Sequence, residues 1–227
     1  MTGRAEIPVR HHPSEETLVA HAAGGLWSAA TPVVAFHLSR CPECRARVAM
    51  AEAVGGALLD ALPPAPLAHD ALRSLMDRLD RGAADAAAPP AAAGPASAPG
   101  GAGALAATLR RLGLPFPPLR WVAPGLRHAV VARDPEPGGG TLRLLRVRPG
   151  SAIVRHAHAG AELTCVLEGA FADETGRYGP GDLAEADASL SHRPVAEGPP
   201  DCVCLVATQG GVRLGGLFGR LVGPLFS

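Results

Sequence analysis

The sequence predicts an α+β chain in two parts: a small all-α domain over residues 1–85 and an all-β, double-sheet barrel over residues 105–227. Three observations predict it. The hydrophobic period is helical in the first third of the chain and alternating in the second half. Between the two, from Arg81 to Ala104, the residues are almost wholly Ala, Pro, Gly and Ser. Two ligand-like His spacings fall one on each side of that stretch. Composition agrees: 47% apolar and 19% charged residues allow a sizeable core, while 4% aromatic residues with 28 Gly and 23 Pro point to turns and small side chains.

Ser14 can cap a first helix running through Leu18, Val19 and Ala22 to the stop at Gly24-Gly25, and a second run starts at Ser28 and carries Val33, Val34, Phe36, His37 and Leu38. Pro42 opens a third helix, CPECRARVAMAEAVGGALLDAL, at a first-turn position where its missing N–H costs nothing. His69 to Arg81 adds a fourth. The Ala/Pro/Gly/Ser stretch, with its linker at 86–104, cannot bury enough surface to offset its ordering entropy and is expected to be mobile. After it come RHAVVAR, TLRLLRVR, AIVRHAH, ELTCVLEGAFAD, DLAEAD and DCVCLVAT, short alternating or β-branched runs separated by PGGG, RPG, EGA and GPGD turns. That spacing is the pattern of a sandwich or double-sheet barrel.

Charge excludes some partners. With 21 basic and 21 acidic residues the formal charge is zero, and residues 1–85 hold 8 Arg against 10 acids, so no electrostatic footprint for DNA or anionic membrane is present. MTGRAEIPVRHHPSEE has no apolar h-region and no window is long and apolar enough to span a bilayer, from which a cytoplasmic protein is expected. Five cysteines in a reducing compartment read as metal ligands or buried thiols rather than as a disulfide framework.

Two constellations carry chemistry. In His37-x3-Cys41-x2-Cys44, the His and first Cys share a helical face and the second Cys lies one turn on, which supplies three of four tetrahedral zinc ligands. The fourth is open among His11, His12 and His21. A helical unit with few large apolar side chains sits near the low end of the usual ~5–15 kcal/mol, whereas a structural zinc can contribute ~10–16 kcal/mol, and four protein ligands leave no open position for catalysis. The second set is Gly150, His156-x-His158-x3-Glu162 and Gly169, followed by Pro180-Gly181-Asp182 and His192. His156 and His158 alternate onto one strand face, Glu162 enters the next strand, and His192 can close from a later hairpin. Three imidazoles and a carboxylate suit zinc or another divalent transition metal. Cys202 and Cys204 share a strand face, as redox-responsive thiols or as small buried hydrophobes; Cys165, on the face opposite Glu162, reads as structural. Glu168, Asp173, Glu174 and Asp182 stand beside turns, where charges are usually solvated, and carry no assigned role.

The span Gly150–Gly169 is similar to the first cupin motif, G-x5-H-x-H-x3-E-x6-G, in full. The second cupin motif is matched by Pro180-Gly181-Asp182 and His192, with Ala188-Ser189-Leu190 where a Pro-Gly turn is usual. The N-terminal part resembles the zinc-binding anti-sigma domain, and the two in this order, with FHLSRCPECRARV, LEGAFADETGRYGPGD and HRPVAEGPPDCVCLVAT, resemble the ChrR family of anti-sigma factors. The resemblance implies zinc ligands at His12, His37, Cys41 and Cys44 and cupin metal ligands at His156, His158, Glu162 and His192, in a jelly-roll cupin. It further implies a zinc-dependent regulator that sequesters an extracytoplasmic-function-type sigma factor, expected at 1:1, and releases it through the cupin half when singlet oxygen or related oxidants appear, with a protease a possible participant. The competing expectation is an enzyme, a metal-dependent cupin oxygenase or isomerase with a helical docking domain.

Overall fold

A computed structural model describes residues 8–136 and 140–214, apart from the stretch 86–101; for 82–85, 102 and 212–214 it describes the backbone alone. Among the described residues five helices precede the strands: α1 (Glu15–Ala22), α2 (Thr31–Arg40), α3 (Pro42–Asp60), α4 (Ala71–Asp85) and α5 (Ala102–Arg111). Ser14 caps α1 by accepting from the Thr17 N–H, and Pro42 stands in the first turn of α3. Cys41 caps α3 with its sulfur, which accepts from the Cys44 N–H. The composition of the Arg81–Ala104 stretch hid helix at both of its ends. α4 runs on to Asp85, α5 begins at Ala102, and the expected mobility falls on 86–101, outside the described residues.

The strands are β1 (Arg120–Ala123), β2 (Leu126–Arg133), β3 (Thr141–Val147), β4 (His156–His158), β5 (Glu162–Glu168), β6 (Ala170–Asp173), β7 (Gly176–Tyr178), β8 (Leu183–Ala186), β9 (Ser191–His192), β10 (Val195–Glu197), β11 (Cys202–Thr208) and β12 (Val212–Leu214). They form a six-stranded sheet in the order β1-β2-β3-β11-β5-β8 and two three-stranded sheets, β10-β6-β7 and β12-β4-β9, antiparallel throughout. The two small sheets make the wall that faces the large one. Alternation then sorts the side chains of the central strands. Leu145, Val147, Val166, Cys202, Cys204 and Val206 point into the barrel against Phe171, Tyr178 and Ala196.

The opposite face of the large sheet is covered by helices. Leu142, Leu144, Leu163, Cys165, Leu183, Val203, Leu205 and Ala207 pack with Ala29, Ala30, Val33, Val34 and Phe36 from the helical half and with Leu105 and Leu109 of α5. The principal core of the molecule is therefore shared by both halves. A mobile stretch between them would not by itself hold the halves together, and packing across the sheet joins them whatever residues 86–101 do. Among the described residues only a small cluster, Leu18, Cys41, Cys44 and Val48, belongs to the helices alone.

Candidate metal centres

The helical ligand set comes together where the chain before α1 crosses the α2–α3 corner. One ligand atom from each of His12, His37, Cys41 and Cys44 lies within 4.8 Å of all the others. His12 Nδ1 is 3.4 Å from Cys41 Sγ and 3.3 Å from Cys44 Sγ. His37 donates its Nδ1–H to the Gly181 carbonyl at 2.8 Å, because a carbonyl can only accept; its Nε2 then carries the lone pair, and that atom is buried with no hydrogen-bond partner. Without a cation the cluster is poorly satisfied. Burial lowers the His37 pKa, and burial with the neighbouring Cys41 thiol pushes Cys44 up to about 12. Two cysteine sulfurs and two imidazole nitrogens at this spacing fit tetrahedral zinc, which they would bind as thiolates and neutral rings, with no position left for substrate. Of the three histidines that spacing left open, His12 is the one brought against the two sulfurs. His11 turns away to lie against the Tyr178 ring, 4.3 Å between centroids, and His21 stays in the last turn of α1.

Inside the barrel the second set converges as the sequence predicts. His156, His158, Glu162 and His192 are all buried, each with a ligand atom within 4.8 Å of the rest. His156 pairs with His192 across β4 and β9, and Glu162 opens β5. His156 donates Nδ1–H to the Val154 carbonyl at 2.8 Å, and His192 donates Nδ1–H to Asp173 Oδ2 at 2.8 Å. Both Nε2 atoms then carry lone pairs, yet they face one another at 3.1 Å, and His158 Nε2 is 3.2 Å from that of His192. Facing lone pairs repel, and a divalent cation among them removes the repulsion. Burial and the neighbouring imidazoles hold His158 down at about 4, and burial pushes Glu162 up to about 7. The Ala188-Ser189-Leu190 departure before His192 is bridged by Asp187, whose carboxylate accepts from the N–H and hydroxyl of Ser189. An Asx-type turn does the work of the missing Pro-Gly.

Asp173 and Asp182 are the residues that sequence reasoning passed over. The carboxylates of both are buried, against the expectation of solvated charges, because each accepts several hydrogen bonds: Asp173 from His192 and Thr175, Asp182 from the backbone of Arg10, His11 and Gly179. Glu168 and Glu174 stay on the surface side, Glu174 paired with Arg155. Arg143, buried inside the barrel, donates to Thr208 at 2.8 Å. It lines, with His156, Glu162 and His192, a cavity of about 220 Å³ whose other walls are mainly apolar. Cys202 and Cys204 line it too, their sulfurs 3.5 Å apart, whereas Cys165 lies on the helix-covered face of the sheet, as its register predicts.

Residues 115–210 match the family model described as the ChrR cupin-like domain. Over 222 residues the chain is 42% identical to the anti-sigma-E factor ChrR of Cereibacter sphaeroides, covering 97% of this chain and 99% of that one. The chain belongs to the ChrR family of anti-sigma factors. Its structure is similar to that of ChrR in the crystal structure of Rhodobacter sphaeroides SigE in complex with the anti-sigma ChrR, with 40% identity, a TM-score of 0.70, and coverage of 88% of this chain and 99% of that one. Family membership and the cupin-like fold agree with the motif spacing. No described helix is long and apolar enough to cross a membrane.

Proposed function

We propose that this ChrR-family protein is a zinc-dependent anti-sigma factor that holds an extracytoplasmic-function-type sigma factor at 1:1 and lets it go when an oxidant such as singlet oxygen acts on the cupin barrel. The observation that carries the binding half is a run of apolar side chains with no cover among the described residues. Met50, Val54, Leu58, Leu59 and Leu62 on and after α3, and Leu72, Leu75, Met76 and Leu79 on α4, are all about half exposed or more. On α4 they recur at i, i+3, i+4 and i+7, which makes one face. An uncovered apolar surface of this extent marks a protein interface, and a helical apolar face suits a helix-in-groove contact. A protein similar along nearly the whole chain is seen in complex with a sigma factor, which supports assigning the same class of partner to this face.

In this reading zinc on His12, His37, Cys41 and Cys44 holds the helices that present the face, and residues 1–85 carry the contact. His156, His158, Glu162 and His192 hold zinc or another divalent transition metal whose ligand sphere an oxidant alters. Cys202 and Cys204, beside the same cavity, are the second candidate for the oxidised group, and proteolysis can follow release. Moving the complex from almost fully bound to almost fully released needs about 5.5 kcal/mol. A change in metal coordination and core packing has that scale; a surface charge does not.

The test is co-purification of the full chain with its sigma factor. Leu75→Glu with Leu79→Glu is expected to abolish capture while leaving both metals in place, and His156→Ala is expected to leave capture intact while blunting release by singlet oxygen. Capture that survives the α4 charges would place the sigma factor elsewhere. The cavity beside the barrel ligands favours one second reading, a metal-dependent cupin oxygenase or isomerase; consumption of oxygen with a small organic substrate by the metal-loaded protein would decide for it.

A further inference from the structure

We infer that the barrel turn Gly179–Asp182 is part of the helical metal centre, orienting its two histidines from the other half of the molecule. Asp182 Oδ1 accepts the backbone N–H groups of Arg10 at 2.6 Å and His11 at 3.0 Å, the two residues that lead into His12. The Leu183 N–H donates to the His11 carbonyl at 3.1 Å, so the chain on the N-terminal side of His12 is pinned at successive peptide groups. Gly181 supplies the carbonyl that takes the Nδ1–H of His37 and thereby leaves Nε2 as the ligating atom. Both histidines of the centre are thus set by one turn of the barrel, and no group of the helical half duplicates the contact to His37 Nδ1 among those described.

The turn is built for this approach. Gly181 has φ +91°, and a Cβ there would meet Val9 Cγ2 at 2.9 Å and the Arg40 Cβ at 3.2 Å, so only glycine lets the N-terminal segment and α2 come this close. Asp182 Oδ2 accepts from the Gly179 N–H at 2.8 Å, which closes the turn and aims Oδ1 at the incoming strand. The turn leads straight into β8, whose last residue, Ala186, pairs with Glu162. About 13 Å of chain along β8 therefore separates Asp182 from the residue that pairs, across the sheet, with Glu162 of the other set.

This inference rests on reading the helical cluster as a metal centre, and the experiment separates the two. The full-length protein is loaded with Co(II) and with zinc in parallel. Only the helical set contains thiolate ligands, so a thiolate-to-cobalt charge-transfer band reports that centre and not the barrel. Absence of the band in the unaltered protein would sink the metal reading itself. With the band present, Asp182→Asn and Gly181→Ala are expected to shift the tetrahedral Co(II) spectrum and to weaken zinc at that centre by about 10–100-fold in chelator competition, with barrel metal retained. Glu185→Gln, which removes only the charge behind an exposed contact to the Ser14 N–H, is expected to change neither. An unaltered spectrum and zinc affinity in both variants would overturn the inference. So would parallel loss of both metals in both, because the turn would then serve the fold as a whole.

Discussion

Asp173 decides which nitrogen of His192 faces the other imidazoles. Its carboxylate is fixed by the N–H and hydroxyl of Thr175 and can only accept, so His192 must turn its protonated Nδ1 outward and its lone pair inward. Asp173→Asn is expected to weaken barrel metal about 10–100-fold, read by competition with a chelator, while the thiolate-containing centre keeps its metal. The neighbouring ligands give a pH signature. Because Glu162 stands at about 7 before metal enters, a metal must displace its proton below that pH. Apparent affinity should fall by about tenfold per unit on acidification from pH 7 and more steeply below about 4, where His158 also takes a proton. For the metal-free fold the signs oppose: the raised Glu162 adds stability that is present below 4.5 and lost as pH rises through 7, and the lowered His158 adds stability that is present above 6.5 and lost as pH falls through 4. These two contributions offset one another between 4.5 and 6.5, and because burial also lowers His37 and His156, denaturant titrations of the metal-free protein are expected to show stability falling as pH drops below 6.5. At this scale the convergence of both side-chain sets was legible, because H-x-H on a strand and H-x3-C-x2-C at a helix corner have few other uses. Asp173 was not, since its role depends on β9 folding against the β6–β7 hairpin, which no local pattern displays.

Among elements, α2 and α4 have opposite tasks. The apolar face of α2 lies against the large sheet, with Val33 and Val34 fully buried and Phe36 nearly so. Phe36→Ala is expected to cost about 3–5 kcal/mol. The loss should appear in near-UV signals from both halves together, because the face it vacates is the barrel's own outer wall. α4 presents its face to no described core, and Leu75→Ala is expected to change stability by less than about 0.5 kcal/mol while weakening sigma capture. Helix ends at Ser14, Pro42 and Gly24 were legible as capping chemistry. β7, β9 and β10 were not, being two or three residues long and carrying too little alternation to read. AIVRHAH reads as one continuous strand, yet only His156–His158 keeps the ladder; Ile153 to Arg155 lie outside any strand, leaving a single bridge at Ala152.

For the whole molecule, the linker composition reads as a boundary while the packing ignores it. Periodicity shows that α2 has an apolar face; it does not show that the face is matched to the back of β3, β5 and β11 rather than to another helix. Metal analysis of the intact protein is expected to approach two equivalents, with one lost in Cys41→Ser and the other in His156→Ala. A chain ending at Asp85 would uncover Val33, Val34 and Phe36, and it should bind a hydrophobic dye more strongly than the intact protein.

The common core also fixes what a single backbone cut can achieve. A nick anywhere between residues 86 and 101 severs the polypeptide but leaves α2 seated on the sheet and Asp182 holding the amides ahead of His12. The two fragments should travel as one species on a sizing column and part only in denaturant. Clipping by itself would then leave the sigma factor captive, and a protease could complete the release only after the seam between α2 and the barrel had already opened.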